Sequence, residues 1–168
     1  MEAIHNHSTN EIKDFSLTKD KVFNKRIFYI SNEAANEPNL NMFARVEKFT
    51  IDQLIVAIEQ ATSSNTPDVI IFHTDYIDPI FFINLSKIGH TVRASNNIIP
   101  IIIVSDKIEF ETKKKILKLG GDDCFPINFE ADKLNYLIEF LKIFKRLAEE
   151  ESIPNENISA YKIGFAKS

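Results

Sequence analysis

The chain has 168 residues, enough for one domain with a sizeable core and about 40 residues beyond it. A net charge of −4 with acids and bases interspersed lacks the clustered basic face of a nucleic-acid binder, and no run of about 18 apolar residues exists to span a membrane. The single cysteine, Cys124, makes no internal disulfide, and no apolar leader stands near the start, so a cytoplasmic protein is expected.

Residues 1–24 are polar with scattered apolar side chains (Ile12, Phe15, Leu17, Val22, Phe23) and read as an N-terminal extension. His5 and His7 alternate there, but two imidazoles without further ligands do not close a metal site. Arg26–Ile30 is a buried strand, followed by an Asn-rich loop with Pro38. A short strand is predicted within Ala44–Phe49. Thr50 then caps a helix carrying Ile51, Leu54, Ile55 and Ile58.

Val69–Phe72, in the stretch PDVIIFHTD, is an unbroken apolar run of the kind found in the middle of a parallel sheet. His73 follows it, at the carboxyl end where open α/β sheets place their sites. Asp78 as N-cap with Pro79 at the first position starts a helix through Ile88, which Gly89 is expected to close. Ile98–Val104 reads as another buried strand. Asp106 is expected to begin a helix that Gly120-Gly121 ends, with Lys113–Lys115 on a solvated face. Cys124–Ile127 is a short strand, and Glu130–Glu151 the longest helix. Residues 151–168, rich in Pro and Asn at their start, read as a linker or tail.

Strands alternating with helices in this order define an α/β, doubly wound, five-stranded parallel sheet. At this point the chain resembles the receiver domain of two-component response regulators, over Lys25–Leu147 and within a domain taken as 25–150. The carrying pieces are PDVIIFH, PIIIVSD and LKLGGDDCFPINF, in that order and spacing. The resemblance implies a receiver, flavodoxin-like fold whose first helix is short or missing, since only Ser31–Met42 separate the first two strands. That helix packs beside the last one in the resemblance, so its loss would leave apolar surface uncovered beside the long C-terminal helix, for the N-terminal extension or a second chain to cover.

Carried over residue by residue, the receiver's chemistry is degenerate. The acidic pair that holds Mg²⁺ falls on Ser31 and Asn32, with Glu33 the nearest acid. The phosphate-accepting Asp falls on His73, the Thr/Ser is kept as Ser105, and the Lys falls on Ile127 with Asn128 after it. The switch aromatic falls on Cys124, beside Phe125. Hard oxygen ligands for Mg²⁺ and a carboxylate nucleophile are therefore missing, which implies a pseudo-receiver without enzymatic activity, metal or cofactor.

The remaining polar candidates have plainer readings. His73 could serve as a phosphorylatable imidazole or a metal ligand with Asp75 and Asp78 close by in the loop, but a polar residue at a strand end more often satisfies local hydrogen bonds. Asp122-Asp123 follow a helix stop, where they cap and solvate, and Cys124 has no neighbouring base. Ser105 has no His or acid at motif spacing.

In the last helix, Leu134, Leu137, Ile138, Leu141 and Phe144 form one apolar stripe, and Tyr136, Phe140, Ile143 and Leu147 a second. Together they span about 200° at 100° per residue, wider than one sheet contact needs. The second stripe is the expected interaction face, and a homodimer the expected assembly. Three functions follow. The first is a phosphorylation-independent signalling module that contacts a protein partner, with no nucleic acid and no membrane contact. The second is the regulatory front end of a membrane-associated bacterial sugar transferase, whose lead-in the final AYKIGFAKS resembles. The third is a small-molecule sensor, although no Gly-rich phosphate loop is present.

Overall fold

The computed structural model describes residues 22–32 and 36–151. Among these residues lie five strands and four helices, in the order β1 (Phe23–Asn32), β2 (Phe43–Phe49), α1 (Ile51–Glu59), β3 (Val69–Thr74), α2 (Pro79–Ala94), β4 (Ile101–Val104), α3 (Phe110–Lys118), β5 (Asp123–Phe125) and α4 (Ala131–Glu150). The strands form one sheet in the order β2-β1-β3-β4-β5, with every pairing parallel. This is the flavodoxin-like doubly wound order, with its switch point between β1 and β3. The central β3 is buried along its whole length, as an unalternating apolar run requires.

Each face of the sheet carries its own core. Phe28, Ile30, Ile70, Phe72, Ile101 and Ile103 pack against α1, α2 and α3, where Leu54, Ile58, Phe81, Leu85 and Ile116 are buried. The alternate residues Ile27, Tyr29, Val69, Ile71, Ile102 and Val104 pack against Leu134, Ile138 and Leu141 of α4. The period of two along the strands sorts these side chains.

The helix starts follow local chemistry. Thr50 Oγ1 accepts from the Gln53 amide at 3.3 Å, and Gln53 Oε1 accepts from the Thr50 amide at 3.0 Å, a reciprocal capping box at α1. Asp78 Oδ1 accepts from the Phe81 amide at 2.8 Å with Pro79 at the first helical position of α2.

Between β1 and β2 there is no helix among the described residues. In its place residues 36–42 run as a loop that turns Pro38 and Leu40 inward, with Met42 against the α4-side core. The surface exposed by the missing helix is thus covered in part by this loop, a contribution the extension-or-partner expectation left out. How residues 1–21 contribute lies outside the described residues.

Several boundaries differ from the sequence reading. β1 begins at Phe23, two residues inside the segment read as extension, because Phe23 is buried against Phe43 with ring centroids 5.6 Å apart. β4 begins at Ile101, not Ile98, and β5 ends at Phe125, not Ile127. α3 begins at Phe110 rather than at Asp106, whose carboxylate instead accepts from the Ile127 amide at 2.8 Å.

Gly89 does not close a helix; α2 runs on to Ala94. A Cβ on Gly89 would lie 2.5 Å from the Leu119 carbonyl oxygen, so this glycine lets the end of α3 cross α2 closely. Gly120 opposite it has φ +108°, a conformation that only glycine adopts freely.

Candidate functional site

The register of the sheet brings the sequence-predicted positions to one edge. Ser31 pairs with His73 and Asn32 with Thr74 across β1 and β3, and His73 pairs with Val104 across β3 and β4. Ser105 follows β4 directly, its amide bonded to the Phe125 carbonyl at 2.9 Å. Ser31, Asn32, His73, Ser105 and Ile127 therefore all lie at the carboxyl edge of the sheet. Glu33, the nearest acid to the Ser31–Asn32 pair, lies outside the described residues.

His73 is only 1% exposed. Its Nδ1 lies 2.9 Å from Tyr29 Oη, and its Nε2 3.6 Å from Asp75 Oδ1. Burial depresses the imidazole pKa, against a partial opposing pull from the carboxylates of Asp75, Asp106 and Glu37. The neutral ring is favoured. Burial also raises the Tyr29 hydroxyl, with Ser31 pulling the other way by hydrogen bonding and Glu37 and Asp75 adding to the rise. Tyr29 and His73 thus form a neutral hydrogen-bonded pair inside the α4-side core.

The loop after β3 is held by the Thr74 side chain. Thr74 Oγ1 donates to the Tyr76 carbonyl at 2.8 Å and accepts from the Tyr76 amide at 3.2 Å. Ser105 Oγ is buried with no hydrogen-bond partner among the described residues. Ile127, at the receiver lysine's place in the resemblance, packs into the apolar cluster under α4. Among the described residues no three His, Cys, Asp or Glu side chains converge on a point where a metal ion could bind. The edge brings together the hydroxyls of Thr74 and Ser105, the buried His73 imidazole and the carboxylates of Asp75 and Asp106.

Asp122 and the lysine run resolve differently from their sequence reading, while Cys124 does not. Asp122 does more than cap and solvate a turn. Its Oδ2 accepts from the Ile101 amide at 2.8 Å and lies 2.8 Å from Lys145 Nζ, with the carboxylate side chain only 3% exposed. Asp123 opens β5 and faces Lys113 at 3.2 Å. Burial pushes the Cys124 thiol up to about 12, so it is inert near neutral pH. Lys115 lies over the Phe82 ring at 4.0 Å, so the lysine run includes a side chain that covers apolar surface.

On α4 the two stripes separate. Leu134, Ile138 and Leu141 are buried and Leu137 is partly so, whereas Tyr136, Phe140, Ile143 and Leu147 are exposed. The helix is pinned at its other edge: Lys142 Nζ lies 2.7 Å from Asp68 Oδ1, whose other oxygen accepts from the Arg26 amide at 2.7 Å. The Asp68 and Asp122 clamps escaped sequence reasoning, as did Tyr29. A tyrosine inside an apolar strand needs a partner for its hydroxyl, and that was the available signal.

No family model matches the chain, and no curated protein matches it in sequence. Solved structures match it in shape. A pilus assembly-related protein from Burkholderia pseudomallei superposes with a TM-score of 0.51 at 11% identity, over 71% of this chain and 90% of that one. A CheY-like response regulator receiver domain protein from Methanospirillum hungatei gives 0.50 at 18% identity, over 74% of this chain and 98% of that one. NtrX from Brucella abortus, solved in complex with ADP, gives 0.50 at 15% identity, over 77% of this chain but 29% of its own. At such identities the likeness is one of fold, and the chain has the receiver fold. No helix among the described residues is long and apolar enough to cross a membrane. His5, His7 and the AYKIGFAKS stretch lie outside the described residues.

Proposed function

We propose that the chain is a regulatory module on the receiver fold that works through protein contact, independently of phosphorylation and without catalysis of its own. The observation that carries this is His73. In the receiver resemblance it holds the phosphate acceptor's place, and here its imidazole is buried, favoured neutral and bonded to Tyr29 at 2.9 Å. An incoming phosphoryl group carries negative charge that needs a cation and an open approach. Ile127 supplies an apolar contact where the resemblance calls for a lysine, and the described acids do not gather into a metal site. Output then rests on surface complementarity, for which the exposed stripe of α4 is the interaction face.

The test is direct. Incubation with Mg²⁺ and acetyl phosphate leaves the mass of the chain unchanged, and beryllofluoride leaves its amide spectrum unchanged. A stable adduct on His73 or Asp75 overturns the reading.

A further inference from the structure

We infer that the occupant of the α4 stripe is a second copy of this chain, its α4 lying antiparallel and held in register by Glu139 of one copy and Arg146 of the other. This rests on the reading of α4 as the interaction face and names the partner of that face.

Four large apolar side chains lie open on one line of the helix: Tyr136 74%, Phe140 51%, Ile143 55% and Leu147 52% exposed. The helix cannot roll to bury them within its own subunit. Leu134, Ile138 and Leu141 already fill the sheet side, Lys142 and Lys145 are tied to Asp68 and Asp122, and Lys25 is ion-paired with Glu139. What covers the stripe must therefore come from outside the packed domain.

The spacing of the stripe says what fits. Its members are separated by four, three and four residues, the alternation of a two-helix seam. About a twofold axis between Phe140 and Ile143, an antiparallel copy sets Tyr136 against the partner's Leu147 and Phe140 against the partner's Ile143. Each of these contacts occurs twice. The stripe is complementary to itself, as an isologous interface demands.

Charge selects the same arrangement. Glu139 and Arg146 flank one side of the seam, seven residues apart. In the antiparallel register each Glu139 lies beside the partner's Arg146, giving two ion pairs of opposite sign. A parallel register would instead set Glu139 beside the partner's Phe144. Lys25 holds Glu139 through Oε1, while Arg146 is exposed and has no ion-pair partner among the described residues. The opposite side of the seam carries Leu137, partly buried against the subunit's own core, and Phe144, whose ring stacks on Phe140 with centroids 6.2 Å apart, and both widen the apolar contact.

The experiment is a dilution series of the full chain followed by sedimentation and light scattering. A dimer that dissociates on dilution is expected. Phe140→Glu makes it monomeric with its circular dichroism unchanged, and Tyr136→Glu, at the most exposed position, does the same should Phe140→Glu unfold. Glu139→Arg and Arg146→Glu each raise the dimer Kd about tenfold, since each breaks two symmetry-related pairs. The double variant E139R/R146E recovers most of that loss, which the loss of the Lys25 contact within a subunit could not produce. A full chain that stays monomeric at every concentration, or a dimer indifferent to Phe140→Glu, overturns the proposal. A dimer broken by Phe140→Glu but not recovered in the double variant overturns the antiparallel register. Because the phosphate test reads a different site, either idea can fail while the other stands.

Discussion

Tyr29 Oη and His73 Nδ1 meet at 2.9 Å across two adjacent parallel strands. Tyr29 stands in register with Ile71, so the two polar side chains are diagonal neighbours on the α4 side of the sheet. Each satisfies the other in a place where an unpaired polar group would cost stability. Both polar groups at this sheet edge are thus taken up by the domain's own packing.

That burial makes stability depend on pH through His73. Its folded-state pKa lies below the ordinary imidazole value of 6.5. In the window below about pH 6.5 the unfolded chain binds a proton that the folded chain resists, so stability rises with pH across that window. Denaturant midpoints taken from pH 7.5 down to 5.5 should fall progressively, and His73→Phe should flatten that slope. Glu47, whose carboxyl the hydrogen-bonded Arg26 holds below its usual value of 4.5, contributes only in more acidic solution. A wild-type midpoint independent of pH in this range would show that the imidazole is not held neutral by the fold.

The crossing of α2 over the end of α3 depends on two missing Cβ atoms. Gly89→Ala places a methyl 2.5 Å from the Leu119 carbonyl oxygen, against backbone that has no side-chain freedom to yield. The expected cost is about 1–3 kcal/mol, the usual range for overpacking, even though Ala is the better helix former. Urea unfolding of the variant measures it. A neutral or stabilising outcome would mean that α3 moves away at no cost.

The Lys145–Asp122 contact ties α4 to the start of β4. Asp122 is nearly inaccessible, and its Oδ2 serves both the Ile101 amide and Lys145 Nζ. Lys145→Met keeps the stem's packing while removing the charge that faces a buried carboxylate, and should cost roughly 2–4 kcal/mol. The double variant K145M/D122N should be less destabilised than the two single variants added together. Strict additivity in that cycle would show that the two groups do not interact.

Much of the architecture is a local property of the sequence. Apolar runs without alternation mark β1, β3 and β4 as strands covered on both faces, because such a pattern has no solvated side to offer. Asp78-Pro79 and Thr50 mark helix starts because a side-chain oxygen or a proline ring acts within one turn. The exposed line of Tyr136, Phe140, Ile143 and Leu147 follows from helical spacing alone, since one sheet face can bury only one stripe of a helix. Other features exist only where distant segments meet. Tyr29 and His73 are 44 residues apart, and no periodicity links them. Gly89 looks like a stop until the Leu119 carbonyl is seen beside it, and Asp106 like a cap for the following helix until Ile127 returns to its carboxylate. Asp68 and Asp122 look like turn residues until the lysines of α4 arrive from 74 residues away in the first case. Period and capping act over a few residues, so the elements and their apolar faces are legible along the chain. Which polar groups are buried, and what satisfies them, is a property of the packed sheet and arises where segments far apart in the chain meet.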